Sequence, residues 1–243
     1  CLYCVDLAAA KALEEAGVTP DYVAGFSLGE IAALSFAGVF SEEQGFDFVC
    51  KRAEAMQKAG EENPGAMAAV LKLKNEQVEE LCAGFEKVWP VNYNCPGQLV
   101  CAGEKSQIEA FCGKVAEAGG KAVPLAVSGG FHSPFMESAS QTLREVLEPM
   151  ELSEARVPVY ANYTAQPYDG SAKELLTQQV KKPVRWQETV ERLVELGVDT
   201  FIECGPGKTL CGLIRKTAKG VKTLNVQDGE TLQTALEAVK AQG

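Results

Sequence analysis

Gly25-Phe26-Ser27-Leu28-Gly29 joins an apolar run to a helical one, and this junction limits what the chain can fold into. Residues 22–26 read as a buried strand, and from Leu28 onward Ile31, Ala32 and Leu34 fall on one helical face. A strand that turns straight into a helix leaves Ser27 on a sharp bend at the strand's carboxyl end. Glycines two residues to either side let strand and helix close without a Cβ clash. The first N–H groups of the new helix, Leu28's among them, have no partner within the helix and point at whatever occupies the bend. That setting suits a nucleophile whose reaction creates an oxyanion.

A serine nucleophile needs a base, and histidine is the usual one. The chain has one histidine, His132, in the loop Gly129-Gly130-Phe131-His132-Ser133-Pro134 after a strand-like run. Loops at the carboxyl ends of strands are where α/β sheets place their sites. No acidic residue stands out as a third member. Asp169 and Asp199 are possible, and a backbone carbonyl is the other option. Arg52 lies at the edge of an apolar helical stripe formed by Phe46, Val49, Cys50, Ala53 and Met56. A guanidinium in that position is costly unless an anion meets it, and its planar fork suits a carboxylate.

Composition narrows the function classes. Hydrophobic residues make up 46% of 243, enough for a full core, and the net charge of −10 argues against a nucleic-acid partner. No apolar run approaches the roughly 20 residues of a membrane span, so a membrane partner is not expected. Nine cysteines are scattered singly apart from Cys1-x-x-Cys4, which has no second ligand pair beside it, so no metal is expected. Reduced, mostly buried thiols suit a cytoplasmic protein.

The rhythm of the chain predicts an α/β fold with a mostly parallel sheet and flanking helices. Helical spacing covers residues 2–16, and Ser41 with Gln44 forms a capping-box pattern ahead of a long helix. Between residues 66 and 127 the order is strand, helix, strand, strand, helix, strand, the ferredoxin-like sequence of elements. The expected domains are therefore residues 1–61 with 129–243, a large α/β domain, and residues 62–128, an inserted small βαββαβ domain.

These motifs occur in a characteristic order: Gly25 to Glu30, Arg52 in Lys-Arg-x-x-x-Met-Gln, Val91-Asn92-Tyr93-Asn94-Cys95-Pro96-Gly97-Gln98, Gly130-Phe131-His132-Ser133, and Glu203-Cys204-Gly205-Pro206-Gly207. The chain closely resembles the malonyl-CoA:acyl carrier protein transacylases and the acyltransferase domains of fatty acid and polyketide synthases, over nearly its whole length. The resemblance implies transfer of a malonyl group from coenzyme A to the phosphopantetheine thiol of acyl carrier protein. Ser27 would carry the acyl group, His132 would act as base and Arg52 would clamp the free carboxylate. No cofactor is implied, because the coenzyme A thioester is itself a substrate.

The histidine ring in this family is held by a main-chain carbonyl shortly before the Pro-x-x-Trp stretch, which falls here on Gln179. Leu28, Asn94, Gln98 and Phe131 are carried over as substrate-binding positions, and Phe131 is of the malonyl-selecting type. Lys181, Lys182, Arg185, Arg215, Lys216 and Lys219 are the basic candidates for docking an acidic carrier. Two departures stand out. Phe26 replaces the histidine many members have, and the family's N-terminal Gly-Gln-Gly-Ser-Gln stretch is absent. An upstream segment carrying a further oxyanion donor and a first strand is therefore expected.

Overall fold

The computed structural model describes residues 2–127 and 129–241; Cys1 of the Cys-x-x-Cys pair and Ser128 at the edge of the expected small domain lie outside them. In chain order the elements are α1 (Leu2–Glu15), β1 (Val23–Ala24), α2 (Leu28–Phe36), α3 (Glu42–Glu62), β2 (Ala66–Leu71), α4 (Asn75–Ala83), β3 (Val88–Cys95), β4 (Gln98–Gly103), α5 (Lys105–Glu117), β5 (Lys121–Pro124), α6 (Glu137–Leu147), β6 (Val159–Tyr160), α7 (Ala172–Gln179), α8 (Trp186–Glu195), β7 (Thr200–Cys204), α9 (Thr209–Thr217), β8 (Lys222–Val226) and α10 (Gly229–Lys240). A short 3-10 turn, Pro134–Met136, precedes α6. The chain divides into two compact units, residues 1–49, 151–170 and 189–243 in one and residues 50–150 and 171–188 in the other.

In the first unit the strands pair in parallel, β1 with β6 and β7 with β8. They form two separate two-stranded pairs among the described residues, where the sequence rhythm predicts one larger sheet. β1 is also shorter than its apolar run, because only Val23 and Ala24 find ladder partners, in Val159 and Tyr160. α1 packs on α2, and the Tyr3 hydroxyl donates to Ser35 Oγ at 2.9 Å and to the Glu42 carbonyl at 3.0 Å. Gly45 leaves room for this bond, since a Cβ would sit 2.2 Å from Ser35 Oγ and 2.3 Å from the Tyr3 oxygen and displace them. Ala9 and Leu13 of α1, Val226 of β8 and Ala235 of α10 close a second apolar cluster.

In the second unit four antiparallel strands run in the order β3-β4-β2-β5. One sheet face carries Ala68, Val70, Leu99 and Cys101 against Val78 and Cys82 of α4 and Ile108, Phe111 and Val115 of α5. Each of the larger of these side chains contributes about 1.5–3 kcal/mol by leaving water. The opposite face carries Met67, Val91, Val100 and Ala102, with Trp89 and Phe131 packed on them.

The long helix α3 starts as its sequence predicts: the Gln44 N–H donates to Ser41 Oγ at 3.1 Å and the Ser41 N–H to Gln44 Oε1 at 3.0 Å. Its buried face is phased differently from the expectation. Phe46 is 44% exposed and Cys50 is exposed, whereas Phe48, Val49, Arg52, Ala55, Met56 and Ala59 are all buried. Two interleaved sets of apolar residues compete on this helix. The set spaced 48, 49, 52, 55, 56, 59 is continuous over three turns, and Arg52 lies in its middle rather than at an edge.

Candidate active site

Ser27, Asn162, Glu30 and Tyr168 all belong to the first unit. Ser27 has φ 53° and ψ −103°, a conformation L-residues avoid at a cost of about 1–3 kcal/mol, and its side chain does not cap its own helix α2. The turn closes through Gly29 N–H to the Phe26 carbonyl and Glu30 N–H to the Ser27 carbonyl, at 3.0 and 3.2 Å. Gly25 is obligatory, because a Cβ there would lie 2.0 Å from the Gly29 carbonyl carbon and oxygen. Gly29 differs from expectation: a Cβ on it would meet nothing within 4 Å, so its backbone, not its missing side chain, is what Gly25 accommodates.

The strained turn is held by a residue the sequence reading did not single out. Asn162 is buried just beyond β6. Its Oδ1 accepts the Ser27 N–H at 2.7 Å, and its Nδ2 donates to the Gly25 carbonyl at 2.6 Å. One amide thus grips the backbone on both sides of the bend. Asn162 is fixed in turn by Glu30, whose buried Oε1 accepts the Asn162 N–H at 3.1 Å and the Tyr168 hydroxyl at 2.5 Å. The available signals were Glu30, a carboxylate one residue past the motif in an otherwise apolar stretch, and Asn162, a poor strand former right after Val-Tyr-Ala. Leu28 is the first residue of α2, so its N–H is among the helix-terminal donors.

The second unit brings together His132, Gln179 and Arg52. His132 is buried and, like Ser27, has a positive φ, 60°. Its N–H donates to the Val180 carbonyl at 2.9 Å, and its Nδ1 lies 2.8 Å from the Gln179 carbonyl. A carbonyl only accepts, so the proton of the neutral ring is on Nδ1 and Nε2 holds the basic lone pair. Burial, and then the Arg52 charge, push the histidine pKa down to about 4, against the backbone of Gln179 and Lys182, which raises it. The ring is therefore neutral at physiological pH.

Arg52 is also buried, and it donates from Nε and Nη2 to Gln179 Oε1 at 3.2 and 3.0 Å. Gln179 closes α7 and is itself 1% exposed. Helix α7 is tied to α6 by Ser140 Oγ donating to the Thr177 carbonyl at 2.8 Å.

Phe131 packs on the sheet face formed by Met67, Val91, Val100 and Ala102, and a Cβ on Gly129 would come within 3.0 Å of its ring. Asn92 pairs with Val100 across the β3–β4 ladder, and Gln98 precedes Leu99 of the helix-facing side by one residue, so both lie on this same face. Asn94 sits in the β3 bulge next to Gln98; it is 8% exposed and its Oδ1 is buried with no hydrogen-bond donor. Among the basic candidates, Lys181 pairs with Glu137 at 2.9 Å and Arg185 with Glu188 at 3.3 Å, while Arg215 donates to Thr223.

No helix among the described residues is long and apolar enough to cross a membrane, and no group of three or more potential metal ligands occurs among them. The eight described cysteines are free thiols, Cys4 and Cys50 exposed and the rest wholly or partly buried.

A family model described as the acyl transferase domain matches residues 1–235. The malonyl CoA-acyl carrier protein transacylase of Bacillus subtilis is 39% identical over 98% of this chain and 78% of its own length. That of Synechocystis is also 39% identical, over 93% and 76%. The crystal structure of the Clostridium perfringens transacylase superimposes with a TM-score of 0.96 at 37% identity, covering 99% of this chain and 78% of that one. A malonyl-transacylase solved in complex with its type II polyketide acyl carrier protein gives a TM-score of 0.94 at 37% identity, over 97% and 79%. This chain belongs to the acyl transferase domain family.

Proposed function

We propose that this protein moves a malonyl group from coenzyme A to the phosphopantetheine thiol of acyl carrier protein through a malonyl-Ser27 intermediate. Ser27 Oγ attacks the thioester carbonyl while His132 Nε2 takes the hydroxyl proton. The tetrahedral oxyanion faces the N-terminal N–H groups of α2, Leu28's included. Its collapse expels the coenzyme A thiol, which leaves with the proton from His132. In the second half the carrier thiol gives its proton to His132 and attacks the acyl-serine, and Ser27 regains its hydroxyl proton as it departs. Arg52 binds the malonyl carboxylate, and Asn94, Gln98 and Phe131 line the acyl site.

The observation that carries this reading is the buried trio of His132, Gln179 and Arg52: a neutral imidazole with a fixed tautomer beside a buried cation. A hydrolase needs the first, and the second suits an anionic acyl group. The relatives' names, and the one relative solved with a carrier protein, point the same way. We take residues 62–128 as an inserted ferredoxin-like domain, on the strand order β3-β4-β2-β5 and its two helices.

Intact-mass measurement after exposure to malonyl-CoA tests the proposal. A stable malonyl adduct mapping to Ser27, discharged by holo carrier protein, is expected. Continuous hydrolysis without an adduct would indicate a thioesterase, and neither adduct nor turnover would indicate a binding module.

A further inference from the structure

Gln179 touches the site twice, through chemically different groups. Its main-chain carbonyl meets His132 Nδ1, and its side-chain oxygen takes the Nε and Nη2 donors of Arg52. That side chain is among the most completely buried in the molecule. A buried amide in such a place must be satisfied, and one oxygen receiving two N–H groups fixes the plane of the guanidinium. The bond uses the side edge of the guanidinium, Nε with Nη2. Aspartate or glutamate would grip the same edge more strongly, but would also neutralise the cation.

From this we infer that the Gln179 side chain is a specificity-determining positioning residue: it orients Arg52 through a neutral oxygen, so that the guanidinium keeps its charge for the substrate's free carboxylate. The inference rests on the reading of Arg52 as the carboxylate clamp. It adds that one residue divides two tasks, the backbone serving the chemistry common to all acyl groups and the side chain serving selection among them. Burial of Arg52 in the middle of the α3 stripe supports the division, because a buried guanidinium has little freedom to reorient unaided.

The test compares malonyl-CoA with acetyl-CoA for acylation of Ser27, in the unsubstituted protein, Gln179→Glu, Gln179→Met and Arg52→Ala. Every variant at 179 keeps the carbonyl that holds His132. Gln179→Glu is expected to lower the malonyl-to-acetyl ratio of kcat/KM about 10- to 100-fold, mainly through the malonyl KM. It should also move the acidic limb of the acetyl profile to higher pH, because Arg52 then depresses His132 less. Gln179→Met keeps the charge but frees the guanidinium, and should raise the malonyl KM by a smaller factor, about 3- to 10-fold. Equal losses with both substrates in Gln179→Glu and Gln179→Met would reduce the side chain to a packing role and overturn the inference; so would an unchanged malonyl-to-acetyl ratio. Arg52→Ala separates the two levels. If it collapses the ratio while the variants at 179 leave it alone, only the inference fails. If it leaves the ratio unchanged, the carboxylate clamp itself is wrong.

Discussion

The corners around Ser27 and His132 solve the same mechanical problem with opposite materials. Each holds a non-glycine residue at positive φ, 53° for Ser27 and 60° for His132, where the backbone resists. The Ser27 corner is held by side chains: Asn162 grips the turn, and Glu30 and Tyr168 grip Asn162. The His132 corner is held mainly by main chain: the Val180 carbonyl takes the His132 N–H and the Gln179 carbonyl meets its ring, with the Ser133 hydroxyl tying the adjoining loop to the Gly130 carbonyl. A side-chain clamp is open to substitution one residue at a time, whereas a main-chain clamp survives any substitution that leaves α7 in place. The serine corner should therefore be the more fragile to mutation.

The sharpest break on the serine side is Gly25→Ala. Its methyl would have to occupy the Gly29 carbonyl, 2.0 Å away, and neither strand nor helix can yield there without opening the turn. A loss of about 3 kcal/mol or more is expected, seen as a shifted urea midpoint or failure to fold. Gly29→Ala, four residues on in the same motif, meets nothing within 4 Å and should be neutral or slightly stabilising, by up to about 1 kcal/mol. If the two substitutions cost the same, the elbow is not built on the close approach of Gly25.

Next in size is the clamp itself. Asn162→Ala removes the acceptor for the Ser27 N–H and the donor for the Gly25 carbonyl. The turn should relax toward unstrained φ, with Ser27 acylation slowed about 100-fold and about 2 kcal/mol of stability lost. Asn162→Asp restores the acceptor only and sets a carboxylate oxygen against the Gly25 carbonyl, so it should rescue little. Gln179→Ala offers the contrasting control, because His132 keeps its carbonyl partner. If acetyl transfer falls as far in Gln179→Ala as in Asn162→Ala, the two corners do not differ in the way their hydrogen bonds suggest.

How much of this was legible beforehand follows the same divide. The elbow, the lone histidine and the strand–helix rhythm are written in motifs and periodicity, which report local geometry. The element order between residues 66 and 127 came through because each strand and helix there has its own turn residues and a clear apolar period. Asn162 was not legible, because it lies 135 residues from Ser27 and no local pattern links an asparagine after one strand to a bend after another. Arg52 was found but placed at the edge of its stripe, since spacing alone could not choose between Phe46 and Phe48 as the buried ring. The second role of Gln179 was hidden for another reason. Counting along a chain locates a carbonyl, but where a long side chain points is decided by packing.

Acid tests the His132 corner by itself. His132 is buried and neutral, with its pKa pushed down to about 4 from 6.5. Between those values the unfolded chain binds the proton and the folded one does not, so this contribution is complete above pH 6.5 and is lost as pH falls toward 4. The full loss is about 3 kcal/mol. Asp6 of α1 acts in the opposite sense. Burial, then the Glu203 charge, raise its pKa from 3.8 to about 6, so the folded state takes up its proton first and gains stability on acidification. Urea titrations between pH 7 and 4 should therefore show a partly compensated decline. It should steepen in Asp6→Asn and flatten in His132→Asn, and the reverse pattern would mean the buried imidazole is not held neutral.

The smallest effect expected is at Tyr168, the outermost part of the serine clamp. Its hydroxyl donates to Glu30 Oε1, the same oxygen that receives the Asn162 N–H. Tyr168→Phe leaves Asn162 its contacts to the turn but deprives a buried carboxylate of one donor. A cost of about 1–2 kcal/mol in stability is expected, with the acylation rate within about 3-fold of the parent. A hydrogen bond two steps removed from a reacting atom alters the rate only if the step between is loose. Asn162 is not loose, since its main chain is fixed by Glu30 and its amide is used at both ends. A rate loss in Tyr168→Phe as large as in Asn162→Ala would mean that Glu30 moves when the hydroxyl goes. The clamp would then behave as a single three-residue unit rather than as an asparagine with support.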